Sequence, residues 1–325
     1  MQKIGEEIIQ KLDEKIEERV KARRKEKHKY NRASSIGWVD DCKLHLVLKR
    51  LCPEEEALPE EDQQRRLDEG LRQEKIIAEE LQDAGFHLEK CQRIINDELQ
   101  IEGEVEYRLV HNGNKFPLDF KTCSSWMFRQ ISRLQSNDEL LGSPHIWVRH
   151  YSPQMQIYDF LYEEDVGLLL FKDKDVNRKH VIDVPYDQVY TEHLIDEIHE
   201  VNWYVKKGDL LKPVYTDACK YCGFFAHCFP DSDFVKKKIA IVTDEEMELK
   251  LQRWYEIEKI GKEFKKLDEE IKGYYRGETL IIGDFLIKST QFTATAYDIP
   301  DDVKKKYARP DERFRMTIKN IISAI

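Results

Sequence analysis

The chain has 325 residues, of which 36% are charged and 41% hydrophobic, and its formal net charge is −10. That length supplies a buried core for one large domain or two modest ones. No apolar run is long enough to span a bilayer and the amino-terminal stretch is too charged for a secretory signal, so a cytoplasmic protein without a membrane partner is expected. The acidic balance weighs against a nucleic-acid binder, because phosphate contacts need Lys and Arg. A local basic groove escapes that objection, and basic stretches occur at Lys21 to Lys29 and at Lys236-Lys237-Lys238, although each reads more simply as a solvated surface.

In chain order, Ile4, Ile8, Leu12, Ile16 and Val20 recur at helical spacing and predict a helix over 4–29 with one narrow apolar stripe. Its expected partner is another helix, the long one near the carboxyl end being a candidate. A new helix opens across Ser34 to Cys42 and runs through LHLVLKRL to Pro53, and the acidic segment 53–62 is a loop. A long helix follows over Gln63 to Ala84, ending before Gly85 and carrying Gly70-Leu71-Arg72-Gln73-Glu74.

Residues 98–125 alternate apolar and polar on both sides of His111-Asn112-Gly113-Asn114, which predicts two antiparallel strands joined by a tight turn. The first carries Gly103-Glu104-Val105-Glu106 and the second carries Asp119-Phe120-Lys121. Glu106 and Asp119 then stand on neighbouring strands, and Lys121 points to the same face as Asp119. Two carboxylates and an ammonium on one face suit a hard divalent cation, which takes carboxylate oxygens, waters and substrate phosphate. The lysine would hold or deprotonate the attacking water. Similar triplets at Asp13-Glu14-Lys15, Glu263-Phe264-Lys265 and Asp302-Val303-Lys304 lie in helical or turn contexts and read as solvated faces.

After the hairpin, Trp126, Phe128 and Arg129 either line a channel where bases stack on aromatics or belong to the core. Gln154 and Tyr158 fall one helical turn apart. VGLLLFKDKD and HVIDVPYD read as strands. Cys219, Cys222 and Cys228 form a tight thiol set in CKYCGFFAHC, with His227 beside it. Seven cysteines in a cytoplasmic chain argue for metal binding over disulfides. Cys91 and Cys123 read as core thiols. Residues 244–275 form a long charged helix of about 45 Å, followed by a hairpin over TLIIGDFLIKSTQFTATAYDI and a basic helix over DDVKKKYARP.

The order Gly103-x-x-Glu106, Asp119-x-Lys121, Gln154-x-x-x-Tyr158 resembles the RecB-like branch of the PD-(D/E)XK nucleases, a group that includes CRISPR-associated RecB-like exonucleases and phage nucleases. The resemblance covers roughly residues 34–230. It implies an α/β fold, a mixed central sheet with flanking helices, to which a carboxyl-terminal helix-hairpin module is added. Three parts follow: an amino-terminal helix 1–33, a nuclease domain 34–230, and the module 231–325. Two departures stand out, since Glu74 occupies a position where the family commonly has histidine, and Glu106 one where it has aspartate.

The implied function is metal-dependent hydrolysis of DNA, as an exonuclease on single-stranded ends. Glu106 and Asp119, with Glu74 and the Phe120 carbonyl, would hold Mg2+ or Mn2+. Lys121 would be the catalytic lysine, and Gln154, Tyr158, Trp126 and Arg129 would meet the substrate. Iron-sulfur members of the group place a fourth cysteine ahead of the core, which matches Cys42, with Cys52 as competitor. Cys42, Cys219, Cys222 and Cys228 would then bind a 4Fe-4S cluster, with zinc the alternative, shielded by Phe224, Phe225 and Phe229. The implied partners are DNA ends and a protein of a recombination or CRISPR-type complex. The rival readings are a catalytically weak DNA-binding scaffold and a zinc-bound endonuclease.

Overall fold

A computed structural model describes residues 4–22, 27–232, 235, 245–274, 279–282, 285–288 and 300–302. The chain forms two compact units, Met1–Thr243 and Asp244–Ile325. The first is a mixed α/β unit built on a five-stranded sheet of His87–Lys90 (β2), Tyr107–His111 (β5), Asn114–Cys123 (β6), Val166–Asp173 (β7) and Lys179–Pro185 (β8), in the order β2-β5-β6-β7-β8. Only β6 and β7 run parallel. A second sheet has the order β1-β4-β3, from Asn31–Arg32 (β1), Ile94–Asn96 (β3) and Ile101–Gly103 (β4).

The β5–β6 turn follows from Asn112 and Gly113, whose φ values of 51° and 82° suit the two-residue turn that matches strand twist. The predicted first strand, by contrast, is interrupted. Residues 101–103 pair with β1 and β3, the chain crosses to the larger sheet over 104–106, and pairing resumes at Tyr107. Gly103 marks the crossing: a Cβ there would lie 2.7 Å from Leu161 Cδ1 and 3.3 Å from the Tyr158 ring, so a larger residue would displace the Leu161 side chain.

Parallel pairing of β6 with β7 requires a crossover, supplied by Ser125–Ile131 (α4), Asn137–Leu141 (α5) and Ile146–Tyr162 (α6). Both sheet faces are covered. Leu118, Phe120, Leu88 and Leu170 pack against Ile77 and Ala78 of Glu61–Asp83 (α3). Leu169, Phe171, Ile182 and Val184 pack against Met155 and Ile157 of α6 and against Leu194, Ile198 and Val201 of Gln188–Lys207 (α7). A strand buried on both faces explains the unbroken apolar run of β7.

Ile4–Ala22 (α1) is shorter than the predicted 4–29: residues 23–26 lie outside the described set and 27–30 are not helical. It meets α3 through Arg19 Nη1 and Asp68 Oδ2 at 2.6 Å and through Arg65 Nη2 and Asp13 Oδ1 at 2.6 Å. Ile4, Ile8 and Leu12 of the predicted stripe are exposed.

The second unit contains a helix over Glu245–Tyr274 and an antiparallel pair, Thr279–Ile282 with Phe285–Lys288. The remainder of the predicted hairpin, and the basic helix beyond 302, lie outside the described residues. Among the described residues no helix is long and apolar enough to cross a membrane.

Candidate active site and thiol cluster

Asp119 and Lys121 alternate on β6 and share a face, with Lys121 Nζ 2.7 Å from Asp119 Oδ2. That contact is ionic without an aligned hydrogen bond, and Asp119 Oδ2 is buried with no hydrogen-bond partner among the described residues. Lys121 Nζ also donates to Gln154 Oε1 at 3.3 Å and lies 4.8 Å from the centre of the Tyr151 ring. Gln154 Nε2 donates in turn to the Tyr158 hydroxyl at 3.0 Å. The predicted one-turn spacing on α6 thus delivers a relay from Tyr158 through Gln154 to the lysine.

Glu106 is not on a strand, contrary to the expectation, but immediately precedes β5. The pairing of Tyr107 with Leu118 sets it opposite Asp119 when carried on by one residue. Glu74, from α3, hydrogen-bonds to Glu106, and its carboxyl is pushed up to about 7. Burial is the largest cause, followed by Glu106 and then Asp119, with Lys121 opposing. The residues Glu74, Glu106, Asp119, Lys121, Gln154 and Tyr158 therefore converge from four parts of the chain. Burial and the Asp119 charge keep the Tyr158 hydroxyl from ionising.

Among the described residues no three His, Cys, Asp or Glu side chains are already gathered as an ion-binding group. The Phe120 side chain packs toward α3, leaving its backbone between Asp119 and Lys121. Trp126 is half-buried against the main core, edge-on to His145 at 5.9 Å. Arg129 is exposed on the same helix. Tyr151 was not foreseen, although its position one turn before Gln154 on the same helix was a usable signal.

The second constellation centres on Cys42. It interrupts Trp38–Leu51 (α2) with φ −164° and ψ 93°. The helix restarts just beyond it. Cys42, Cys219, Cys222 and Cys228 line one cavity, walled by Trp38, Leu48, Phe225 and Phe229 among others. None of the seven cysteines is joined in a disulfide. Burial pushes Cys42 up, Cys222 up to about 12 and Cys228 up to about 11.

Cys52 packs on the same Leu44, Leu48 and Phe224 cluster as Cys42, Cys222 and Cys228 but is not among the residues that line the cavity, so the cavity groups Cys42 with the three late thiols. Phe224 is fully buried in that cluster. His227 lies 3.6 Å from Glu55 Oε2. Cys91 and Cys123 are half-buried beside the carbonyls of Glu89 and Lys172. The buried residue not anticipated here is His45, whose Nδ1 is 3.3 Å from Cys222 Sγ.

The two constellations share α6. His150 Nε2 lies 2.7 Å from Asp41 Oδ2, and Arg149 Nη2 donates to Asp41 Oδ1 at 3.2 Å, holding the residue next to Cys42. Gln154 and Tyr158, farther along the same helix, hold Lys121.

No protein-family model matches the chain, and no curated protein matches it. Among solved structures it is similar to an alkaline exonuclease from Laribacter hongkongensis, with 12% identity, a TM-score of 0.42, and coverage of 56% of this chain and 90% of that one. It is also similar to SSO0001, with 17% identity, a TM-score of 0.38, and coverage of 69% and 97%. A phage related exonuclease from Haemophilus somnus 129PT shows 20% identity, a TM-score of 0.30, and coverage of 42% and 66%. These likenesses are partial, and the functional reading rests on the side chains described above.

Proposed function

We propose that the first unit is a metal-dependent deoxyribonuclease of the PD-(D/E)XK type, with residues 34–230 as its nuclease domain and single-stranded DNA ends as its substrate. The observation that carries this reading is the convergence of Glu74, Glu106 and Asp119 on Lys121, itself held by Gln154. The topology supports it too, since a hairpin is followed by a crossover to a parallel strand, with Asp119 and Lys121 on the hairpin's second strand. The exonuclease and single-strand assignments draw on the sequence resemblance.

The residues fit a divalent cation. Asp119 Oδ2 is a buried carboxylate oxygen whose close partner is the Lys121 ammonium, with no aligned hydrogen bond among the described residues, and a hard cation takes carboxylate oxygens of this kind. Asp119 and Glu106 would hold Mg2+ or Mn2+, with Glu74 and the Phe120 carbonyl as further oxygens. When bound, the cation polarises the scissile phosphate and acidifies a water. Lys121, fixed between Asp119 and Gln154, positions the attacking water, and Tyr158 steadies Gln154. Arg129, exposed on α4, is available to DNA phosphate.

The four thiols fit a soft metal group: Cys42, Cys219, Cys222 and Cys228 open into one apolar cavity. We assign them to a 4Fe-4S cluster that staples the region around Cys42 to the segment beyond α7.

A catalytically weak DNA-binding scaffold is the second reading, and the raised Glu74 favours it. Near neutral pH a proton held between Glu74 and Glu106 competes with the cation. End-labelled single-stranded and duplex DNA, incubated with Mg2+ or Mn2+ and either wild type or Asp119→Ala, separates the two. Digestion by wild type alone supports the nuclease. Binding without digestion by wild type supports the scaffold.

A further inference from the structure

His45 is buried, with 5% of its surface exposed, and stands one turn after Cys42 on α2. Its ring lies flat on Trp38, with centroids 4.0 Å apart and planes 8° apart, and meets Phe224 edge-on at 5.5 Å. Stacking and burial hold the ring in place and present Nδ1 to Cys222 Sγ at 3.3 Å. A residue from the early part of the chain therefore reaches one of the late sulfurs.

A sulfur that binds a metal has lost its proton and can only accept a hydrogen bond. The neutral imidazole carries one N–H, so the Cys222 contact then has one possible polarity, Nδ1–H to Sγ. Partners of this kind around a metal site orient the ligands and tune the metal, and hydrogen bonds to the sulfurs are among the determinants of an iron-sulfur potential.

We propose that His45 is a positioning residue of the thiol site, donating Nδ1–H to the Cys222 sulfur so that the bound metal group is lost more slowly and, as an iron-sulfur cluster, is reduced more easily. The inference rests on the metal-binding reading of the thiols. It is independent of the nuclease site.

The test uses the full chain, purified without exposure to air, as wild type, His45→Phe and His45→Asn. Phenylalanine keeps a flat ring for Trp38 but removes the N–H. Asparagine gives up the ring but places an N–H the same number of bonds from the backbone as Nδ1. Iron, zinc and acid-labile sulfide per chain are measured first, then the rate of metal release to excess chelator, then the midpoint potential against dye mediators.

The expected result is wild-type metal content in all three proteins, with release from His45→Phe at least tenfold faster and its potential more negative. His45→Asn should stay within about threefold of wild type in release rate. Equal release from wild type and His45→Phe overturns the proposal. So do equal losses in both variants, which would assign the effect to ring packing, and a fall in metal content in both, which would make His45 itself a ligand. Wild type that binds no metal overturns the thiol reading and this inference together, an outcome distinct from the others.

Discussion

Replacing Glu74 by Gln tests the electrostatics of the candidate active site without relying on turnover. The carboxyl is held up at about 7 from a usual 4.5 by burial, by Glu106 and by Asp119. A carboxyl whose folded pKa lies above its unfolded value contributes stability that is fully present below the unfolded pKa and is lost as pH rises through the folded one. At ~1.4 kcal/mol per pH unit, the interval from 4.5 to about 7 sets an upper bound of about 3.5 kcal/mol. Glu74 is only half-buried, and solvent screening reduces the figure to roughly 1–2 kcal/mol.

Glutamine keeps the shape and never ionises. The stability of Glu74→Gln relative to wild type should therefore rise by that amount between pH 4.5 and pH 8 and level off above it. The assay is urea unfolding at several pH values without divalent cations, followed by tryptophan fluorescence. Trp38, Trp126, Trp147 and Trp203 all report on the first unit. The comparison must be between variant and wild type, because buried His45, whose basicity burial holds well below the ordinary range, adds a pH dependence of the opposite sign. A difference between the two proteins that stays flat from pH 4.5 to pH 8 would refute the proposed repulsion among Glu74, Glu106 and Asp119. Added Mn2+ should narrow the difference at pH 8, since a cation shared with Glu106 and Asp119 reverses the penalty on ionised Glu74.

Three other outcomes are expected. Lys121→Ala should fold, retain the metal of the thiol site and lose about 10²–10⁴-fold in DNA hydrolysis; near wild-type hydrolysis would remove the lysine from the mechanism. Cys222→Ser should lose the bound metal and melt at a lower temperature, whereas a wild-type melting temperature would sink the staple; brown wild-type protein indicates iron-sulfur and colourless protein indicates zinc. Asp159 is 1% exposed, neither carboxyl oxygen has a hydrogen-bond partner among the described residues, and burial pushes the group up to about 8. Its contribution is lost as pH rises through that value, so Asp159→Asn should stabilise the protein more at pH 8 than at pH 5 in thermal melts.

The sequence by itself determined what depends on neighbours along the chain. The two-residue period of a strand puts Asp119 and Lys121 on one face, the helical period puts Gln154 within a turn of Tyr158, and both placements hold at bonding distance. Helix α3, expected over 63–84, spans Glu61–Asp83, because its periodic pattern and Gly85 are local signals. Only the tertiary structure decided what depends on partners far off in sequence. Glu106 leaves the strand because the chain passes from the smaller sheet, paired to Gly103, to the larger one, paired from Tyr107. Cys42 lines a cavity with Cys219, Cys222 and Cys228 while Cys52 does not, and Cys42 is where the helical backbone of α2 is broken. Trp126 packs against the core instead of standing clear as a stacking platform. His45 and Tyr151 acquire their roles only when α2 meets the Cys222 segment and α6 meets β6. Backbone periodicity records which way a side chain points, whereas the group it points at is selected by burial summed over the whole unit, and no local stretch contains that sum.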